Sequence, residues 1–319
     1  MQRRTYLKTM LAGAGAMALP AAAQEPNVLA GCIKHTDPSK YHLYHSHQSP
    51  GYMACQYPSL VVSSDMTTNL QFIDRCQIMP GGGVGAHFHN HCEEMYVIFD
   101  GEAQFTIDGR TSLLKAPAGA PCRMGHSHAI YNHTNKPVEF VNINVSAVKG
   151  RYDAFNLDDA RIGVPLDPIP VFMTMRLDKT LAPPSSGRYE PSGNVMDEPD
   201  NLLRPIENYL GGQGAAHYRR CLHPEVFLTN WSYVDHLVLP PGTSEGLHLH
   251  AGVEEVYYVM SGEGEVQVNG ETAAIKNGDA VPVHLREVHA CHNNGSQDLE
   301  LMIIGIATQK WVLDTEEVK

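Results

Sequence analysis

The sequence has little charge for its length and no concentration of basic residues. Only 18% of its 319 residues are charged, against roughly 25% in an average soluble protein. The 23 lysines and arginines are outnumbered by 35 aspartates and glutamates, which gives a formal net charge of −12. Binding to a nucleic-acid backbone depends on clustered lysine and arginine. Nucleic acid is therefore excluded as an expected partner.

Long hydrophobic runs are also missing. No stretch approaches the roughly 20 apolar residues that a membrane-spanning helix needs, so no integral membrane segment is expected in the mature form. Residues 2–8 read QRRTYLK, and a mildly apolar run from Met10 to Leu19 is followed by three alanines after Pro20. This order predicts a twin-arginine (Tat) signal peptide over residues 1–23. The Tat export machinery is then an expected partner, and the expected location is periplasmic or extracellular.

Closely spaced cysteine pairs are absent. None of the seven cysteines are spaced as Cys-x-x-Cys, which argues against a zinc knuckle or a thioredoxin-type site. Their odd number leaves at least one thiol unpaired even in an oxidising compartment, and their pairing cannot be read from the sequence. Cys32 ends a Leu-Ala-Gly-Cys box, but residues 24–27 separate that box from the apolar run. Lipid attachment at Cys32 is therefore not favoured.

What the sequence does contain is one unit twice. With a shift of 161 residues, residues 80–132 fall on residues 241–293 without a gap. A repeat of this kind sets the architecture before any local feature does. The matched pairs include Pro80 and Pro241, Gly85 and Gly246, His87 and His248, His89 and His250, Glu94 and Glu255, Tyr96 and Tyr257, His128 and His289, and Asn132 and Asn293.

The segments around these positions are typical of short β-strands. Asp108-Gly109 and Asn269-Gly270 are strong signals for two-residue hairpins. The fold class predicted is all-β, with two tandem small barrels or jelly rolls. The predicted strands are Leu70–Met79, Met95–Phe99, Gln104–Ile107 and Val138–Val145 in the first copy, and Tyr233–Leu239, Val256–Met260, Glu265–Val268 and Leu299–Ile304 in the second.

The remaining segments give the domain organisation. Residues 24–60 form an N-terminal arm, 61–149 the first domain, 150–215 a proline-rich connector and 216–319 the second domain. The connector contains no histidine, and short helices are expected around 153–160 and 201–209.

Histidines and one glutamate recur in each copy with the spacing of a metal site. Alternation along a strand places His87 and His89 on one face, and His248 and His250 likewise. A glutamate and a later histidine complete each set, with three nitrogen ligands and one oxygen ligand. Such a set leaves coordination positions open for a substrate. The predicted metal ligands are His87, His89, Glu94 and His128 in the first copy, and His248, His250, Glu255 and His289 in the second.

At these residues the sequence resembles the cupin superfamily, and in particular its two-domain members, the bicupins. The resemblance implies two cupin jelly-roll barrels and assigns Glu94 and Glu255 as the ligands, with Glu93 and Glu254 facing away. A divalent metal is the expected cofactor, up to two per chain. Manganese or iron is favoured if the protein folds before export, while nickel, copper and zinc stay open.

Four further residues are candidates for catalysis. His126 and Glu287 each precede the last ligand by two positions, so both are expected to project toward the metal as acids or bases. Tyr96 and Tyr257 follow the ligand glutamates by two positions and could donate a hydrogen bond to an oxyanion. A purely supporting role for these groups is an open alternative.

The histidines of the arm form a separate group. His42, His45 and His47 are not followed by the glutamate pattern of the two sets. They are expected at the surface or over a barrel mouth rather than as a third metal site.

The resemblance leaves three functions open. The main expectation is a dioxygenase-type oxidoreductase acting on a small organic, phenolic substrate. The first alternative is a non-redox enzyme, such as a decarboxylase, lyase or isomerase. For oxalate decarboxylases, the resemblance implies an arginine three residues before the first ligand. This sequence has Val84 and Glu245 at those positions, so oxalate is disfavoured as the substrate. The second alternative is a non-catalytic metal- or ligand-binding protein. A homo-oligomer is compatible with each.

Overall fold

The computed structural model describes residues 28–157, 174–182 and 202–318. The predicted signal peptide and most of the predicted connector lie outside these residues. Within the described ranges, no helix has both the length and the apolar character needed to cross a membrane.

Short β-strands make up most of the described chain, as predicted, and the α-helix α1 (Val28–Cys32) is a single turn. The strands of the first half are β1 (Lys34–His35), β2 (Tyr41–Tyr44), β3 (Met53–Gln56), β4 (Val61–Val62), β5 (Leu70–Ile78), β6 (Gly83–Phe88), β7 (Cys92–Ile98), β8 (Glu102–Ile107), β9 (Arg110–Lys115), β10 (Ala118–Cys122), β11 (Ser127–Tyr131), β12 (Val138–Ser146), β13 (Phe155–Asn156) and β14 (Met175–Arg176). Those of the second half are β15 (Arg204–Glu207), β16 (Ala215–Leu222), β17 (Trp231–Leu239), β18 (His248–Leu249), β19 (Val253–Ser261), β20 (Glu263–Val268), β21 (Glu271–Lys276), β22 (Asp279–Val283), β23 (His289–His292), β24 (Leu299–Ala307) and β25 (Glu316–Glu317).

Each half folds into two sheets that face each other. In the first half, the sheet β14-β10-β7-β12-β5-β3-β2, with β4 added beside β5, faces the sheet β13-β6-β11-β8-β9. In the second half, the sheet β1-β22-β19-β24-β17-β16-β15 faces the sheet β21-β20-β23-β18-β25. All the pairings between these strands are antiparallel. Two tandem barrels, the predicted fold class, are therefore confirmed.

The hairpins form where the sequence predicts them. Asp108 and Gly109 connect β8 to β9, and Asn269 and Gly270 connect β20 to β21. All four residues have positive φ, between 46° and 85°. Asparagine, aspartate and glycine tolerate this left-handed region, and it matches the twist of the flanking strands. His128 is opposite Ile107 and His289 is opposite Val268, so each hairpin lies close to the last predicted histidine ligand of its barrel.

Apolar side chains fill the space between the sheets of each barrel. In the first barrel, Ile78, Phe105 and Phe140 belong to a buried cluster between the sheets, and in the second barrel Leu237 and Val266 do the same. Both barrels are closed by packed side chains, so any polar site inside them is shielded from water. A third apolar cluster joins the barrels.

That third cluster lies between the two large sheets. It contains Met95, Val97 and Ile143 from the first barrel together with Trp231 and Ile304 from the second, each with 0% exposure. Burial of such side chains contributes roughly 1.5–3 kcal/mol each. The barrels are therefore packed back to back over a common core.

The segment that precedes each barrel adds a strand to the other one. β1 pairs with β22 of the second barrel, where Lys34 faces Ala280. β14 pairs with β10 of the first barrel, where Arg176 faces Ala118. The predicted arm therefore belongs to both barrels, because β2 and β3 of the same arm extend the large sheet of the first.

No α-helix is found in the described parts of the two segments where short helices are expected, and residues 158–160 and 201 lie outside the described ranges. Phe155–Asn156 pairs with β6 and Arg204–Glu207 pairs with β16, so these parts are strands, and a short 3-10 helix follows at Tyr209–Gly211. Both strands lie at the edge of a sheet. Pairing with the neighbouring strand there outweighs the weak local helix propensity on which the prediction of helices was based. One pair of cysteines, Cys55 and Cys76 on neighbouring strands, forms a disulfide.

Candidate metal centres

The four predicted ligands of each barrel converge on one point. In each set, one ligand atom from every residue lies within 4.8 Å of the others. In the first barrel, Glu94 Oε2 lies 3.1 Å from His128 Nε2 and 3.5 Å from His89 Nε2. In the second, Glu255 Oε2 lies 2.9 Å from His289 Nε2. All eight side chains are at most 4% exposed.

The ring orientations suit metal binding. The Nδ1 atom of His87 donates to the Gly85 carbonyl oxygen at 2.8 Å, and His248 does the same to Gly246 at 2.9 Å. A proton held at Nδ1 leaves the Nε2 lone pair free, which is the form that binds a metal. These two glycines match in the repeat, so the local chain positions the first ligand identically in both barrels.

Asp153 and Asp314 position the second histidine of each set. The Nδ1 atoms of His89 and His250 donate to the main-chain carbonyl oxygens of Asp153 and Asp314. The carboxylate of Asp153 accepts from the main-chain N–H groups of residues 90 and 91, and that of Asp314 accepts from residues 251 and 252. Each aspartate thus fixes both the ring and the turn that carries it.

Hydrogen-bond donors also hold the glutamate ligands, but they differ between the barrels. Glu94 accepts from Tyr96 Oη at 3.0 Å and from Asn144 Nδ2 at 2.8 Å. Glu255 accepts from Tyr233 Oη at 2.6 Å. In both barrels the carboxylate is oriented by a buried phenol, which comes from a different strand in each case.

The electrostatics favour a carboxylate at each site. Burial would raise the pKa of Glu94, but the neighbouring imidazoles of His128, His87 and His89 outweigh it and hold the pKa well below the usual range. Glu255 behaves in the same way, with the largest opposing contribution from His250. Burial, followed by the charge of His289, lowers the pKa of His248 to about 4. Ionised glutamate and neutral imidazole are the forms that bind metals.

Both sets fit a divalent metal ion on these observations. The Nε2 atoms of His87, His89 and His250 are buried without a hydrogen-bond partner in the described residues. Buried polar nitrogens are rarely left unpaired, and a cation shared with the glutamate would satisfy them. Three imidazoles and one carboxylate suit manganese, iron, nickel, copper or zinc. The chain therefore has two sites for a divalent metal.

His126 and Glu287 do not project toward the metal sites, contrary to expectation. His126 is exposed, and its Nδ1 atom lies 2.5 Å from Asp108 Oδ2. Glu287 accepts from Asn269 Nδ2 at 3.1 Å and from the main-chain N–H of His284 at 2.8 Å. Both residues precede their strand, so the alternation used to predict their direction does not extend to them. They tie the hairpin to the start of β11 or β23.

Tyr96 and Tyr257 both lie inside their barrels, with different contacts. Tyr96 bonds to the ligand Glu94. The hydrogen bond to Glu255 comes from Tyr233 instead. Burial and then the charge of Glu245 raise the pKa of Tyr257 well above its usual range, so it stays a phenol.

The position three residues before the first ligand is buried in both barrels. Val84 is 4% exposed and belongs to the apolar cluster inside the first barrel. Glu245 is 2% exposed, and its carboxylate accepts from the Cys291 main-chain N–H at 3.0 Å. Burial is the main cause that raises the pKa of Glu245 to about 7. Neither barrel has an arginine at this position.

Several supporting groups were not found from the sequence. Asp153 and Asp314 are separated by the same 161 residues as the ligands, so an extended repeat would have revealed them. Asn144 and Tyr233 have no matching counterpart and gave no signal. His47, expected at the surface or over a mouth, stacks on His87 with ring centroids 3.7 Å apart.

Comparisons with known proteins identify a family for both barrels. The profile of the family described as "Cupin domain" matches residues 74–144 and 235–305. The oxalate-binding protein of Thermotoga maritima is 34% identical over 115 residues, which are 36% of this chain and 95% of that protein. An uncharacterised protein of Methanocaldococcus jannaschii is 27% identical over 97 residues, 30% of this chain and 77% of that protein.

Solved structures of similar fold cover both barrels. Oxalate decarboxylase of Lactobacillus farciminis, solved as a formate complex, is 16% identical and matches 89% of this chain and 88% of its own with a TM-score of 0.55. Oxalate decarboxylase of Bacillus subtilis, in a study of its Mn(II) centres, is 16% identical and matches 89% of this chain and 79% of its own with a TM-score of 0.54. At these identities the likeness concerns the fold. The family profile matches both barrels, and the relative of 34% identity is covered over nearly its whole length. The chain therefore belongs to the cupin family as a two-domain member.

Proposed function

We propose that the protein is a manganese-dependent cupin enzyme that decarboxylates a small carboxylic acid of the oxalate type. The observation that carries the proposal is the pair of buried centres with three histidines and one glutamate each. The histidines are neutral when they bind a metal, and the glutamate contributes one negative charge. A divalent ion therefore leaves each centre with a net positive charge, which a small anion can neutralise.

The relatives favour this substrate class over the one first expected. The relative of 34% identity is named for oxalate binding, and the two-domain structures of similar fold are named as oxalate decarboxylases. No relative described above is named as a dioxygenase, so the expected phenolic substrate gains no support. The redox-neutral alternative now becomes the main proposal.

The chain's own residues have defined tasks in this proposal. His87, His89, Glu94 and His128 would hold one ion, and His248, His250, Glu255 and His289 the other. A bound divalent metal supplies a Lewis acid that polarises a carboxylate. Tyr96 and Tyr233 keep the ligand glutamates oriented, and the apolar barrel walls exclude water. Exclusion of water strengthens every charge interaction inside the site.

The residue three positions before the first ligand of each centre shapes the proposal. Val84 and Glu245 occupy this position, so it supplies no positive charge to a bound anion in either barrel. With a formal net charge of −12 for the whole chain, long-range attraction of a dianion is weak. A singly charged acid is therefore the favoured form of the substrate.

The test is turnover by protein loaded with manganese. Hydrogen oxalate would split its carbon–carbon bond to give carbon dioxide and formate, with the acid proton ending on the formate carbon. The proposal is supported if the protein forms formate and carbon dioxide in equal amounts. It also requires that the double variant His89→Ala/His250→Ala form neither. Absence of product from a protein that carries two manganese ions per chain would refute it.

A second candidate is a non-catalytic protein that binds a small acid. The name of the relative from Thermotoga maritima describes binding alone. Calorimetry with oxalate separates the two candidates, because binding without turnover would favour this one.

The disulfide bears on location. Disulfides form and persist in oxidising compartments, and Cys55 is bonded to Cys76. This supports the proposal that the protein works outside the cytoplasm, which mass spectrometry of alkylated protein from periplasmic and cytoplasmic fractions would test.

A further inference from the structure

His47 lies against the first metal centre without being one of its ligands. Its ring is stacked on that of His87, with a centroid separation of 3.7 Å and an angle of 3° between the planes. The Nδ1 atom of His47 is 2.6 Å from Asn156 Oδ1. Because the amide oxygen accepts, Nδ1 carries the proton and Nε2 has a free lone pair. Among the residues that the structure describes, Nε2 of His47 has no hydrogen-bond partner.

The backbone that carries His47 is held in an unusual conformation. His47 has a φ of 47° and Gln48 a φ of 61°, in the left-handed region that costs energy for such residues. A Cβ on Gly85 would lie 1.9 Å from the His47 carbonyl oxygen, and the Gly85 N–H donates to Ser46. The loop is therefore locked onto β6, two residues before the ligand His87.

The second barrel has the same loop with a different side chain. Leu210 has a φ of 53°, and its carbonyl oxygen would lie 1.8 Å from a Cβ on Gly246. Gly246 is the match of Gly85 in the repeat. The strained loop is thus common to both barrels, and its polar ring is present at the first centre only.

His47 lies on the side of His87 that faces β13, opposite the side that carries His128. β11, which carries His128, pairs with one edge of β6, and His128 is opposite His87 in that pairing. β13 pairs with the other edge, and there Asn156 is opposite His87. Because His47 is bonded to Asn156, its ring lies away from His128. The ring of His47 therefore covers His87 beside the first metal centre but outside its ligand set.

We propose that Nε2 of His47 accepts a hydrogen bond from the small acid bound at the first metal centre. This makes His47 a specificity-determining residue that favours acids bearing a hydrogen-bond donor, such as a 2-hydroxy acid or a half-protonated diacid. Leu210 cannot do this at the second centre, so the two centres differ in ligand preference. The inference rests on the proposed function, because it assumes that a small acid binds there.

The test compares glycolate, which has a hydroxyl donor, with acetate, which has none. His250→Ala leaves the first centre as the complete ligand set, and His89→Ala leaves the second; elemental analysis checks for one manganese per chain. Binding is measured by calorimetry and by the electron paramagnetic resonance of manganese. His47→Phe keeps a flat ring on His87 but removes Nε2, and Leu210→Phe is the matched control.

The expected result is a change in preference rather than a general loss of binding. In the His250→Ala background, His47→Phe weakens glycolate binding about tenfold, the size of one lost hydrogen bond, leaves acetate within about twofold and retains the manganese. His47→Gln, whose amide oxygen can accept, restores part of the glycolate affinity. In the His89→Ala background, His47→Phe has no effect.

Other outcomes separate the two proposals. Equal loss of glycolate and acetate, or no change in either, overturns the role of His47 and leaves the proposed function standing. If the wild-type protein with two manganese ions binds none of oxalate, glycolate and acetate, both are overturned. Should His250→Ala not fold, the wild-type protein serves, and His47→Phe then weakens one of two glycolate-binding events.

Discussion

The carboxylate of Glu93 in the first barrel accepts two hydrogen bonds from Thr229 of the second barrel. One comes from the main-chain N–H, at 2.7 Å, and one from the side-chain hydroxyl, at 2.6 Å. Glu254, the match of Glu93 in the repeat, binds Thr67 and Thr68 of the first barrel in the same manner. Both glutamates have 0% exposure. The neighbours of the two metal-ligating glutamates thus fasten the barrels together by the same contact made in both directions.

Glu254→Gln should destabilise the protein at neutral pH, because an amide replaces a carboxylate that accepts several hydrogen bonds. The expected loss in free energy of unfolding is about 1–3 kcal/mol. Burial would raise the pKa of Glu254, but hydrogen bonds from Thr68 and Thr67 lower it. This stabilisation is complete above the ordinary glutamate pKa of 4.5 and is lost as the pH falls through the lowered value.

Denaturant unfolding across acidic and neutral pH checks this prediction. The difference between wild type and Glu254→Gln should shrink toward acid. Glu263→Gln, at an exposed position, is the control and should change little. If the difference in unfolding free energy does not vary with pH, the ionised carboxylate of Glu254 is not the source of the stabilisation.

Tyr96→Phe should weaken metal binding at the first centre, and Tyr233→Phe at the second. Each substitution removes the phenol that orients a ligand glutamate, and loss of such a partner typically costs about 10–100-fold in affinity. Competition with a chelator measures both centres. Tyr257→Phe is the control, since the Tyr257 hydroxyl does not bond to Glu255. An equal loss of metal affinity in that variant would contradict the role assigned to Tyr233.

Asp153→Ala should release metal from the first centre and Asp314→Ala from the second. Each carboxylate fixes the turn beside a ligand histidine, so its loss frees the histidine ring. In each variant the affinity of the altered centre for its metal should fall by about 10-fold or more. One of the two metal ions per chain should therefore dissociate before the other. Release from both centres at once would show general unfolding instead.

His126→Ala and Glu287→Gln should keep two metal ions per chain. His126 bonds to Asp108 and Glu287 to Asn269, so both act on the hairpins. The expected cost is at most about 1 kcal/mol of unfolding free energy, as for other partly exposed pairs. Elemental analysis and denaturation measure the two effects, and loss of metal would restore the role expected from the sequence.

Metal removal should lower the melting temperature, and metal uptake should release protons. Although burial opposes it, the charge of Glu255 raises the pKa of His250 to about 9 in the metal-free protein. At neutral pH that ring is protonated and must lose its proton to bind a metal. Calorimetry in buffers of different ionisation enthalpy should detect proton release on metal uptake at the second centre, and less proton release per chain in His250→Ala.

The fold and the metal ligands could be predicted because both follow from patterns that the chain repeats. Alternation along strands, the Asp-Gly and Asn-Gly turns and the matched histidines each specify a local geometry. The two matched copies then identified the ligands, since a chance arrangement is not expected twice. Glu93 and Glu254 were also correctly predicted to face away from the metals.

What the sequence missed depends on contacts between distant segments. The direction of His126 depends on Asp108 in a neighbouring hairpin, and that of His47 depends on Asn156 from the far edge of the barrel. Residues that precede a strand do not follow its alternation, which is why His126 and Glu287 were assigned wrongly to the barrel interior. The pairing of β1 and β14 with the opposite barrels has no local signal at all.

The pairing of β1 also has a consequence during protein synthesis. His35 bonds to Asp279, which is 244 residues later in the chain, whereas β14 pairs with a strand of the first barrel that has already been made. The first barrel can therefore complete its large sheet soon after residue 176 leaves the ribosome. Strand β1 must therefore wait for β22 until nearly the whole chain has been translated.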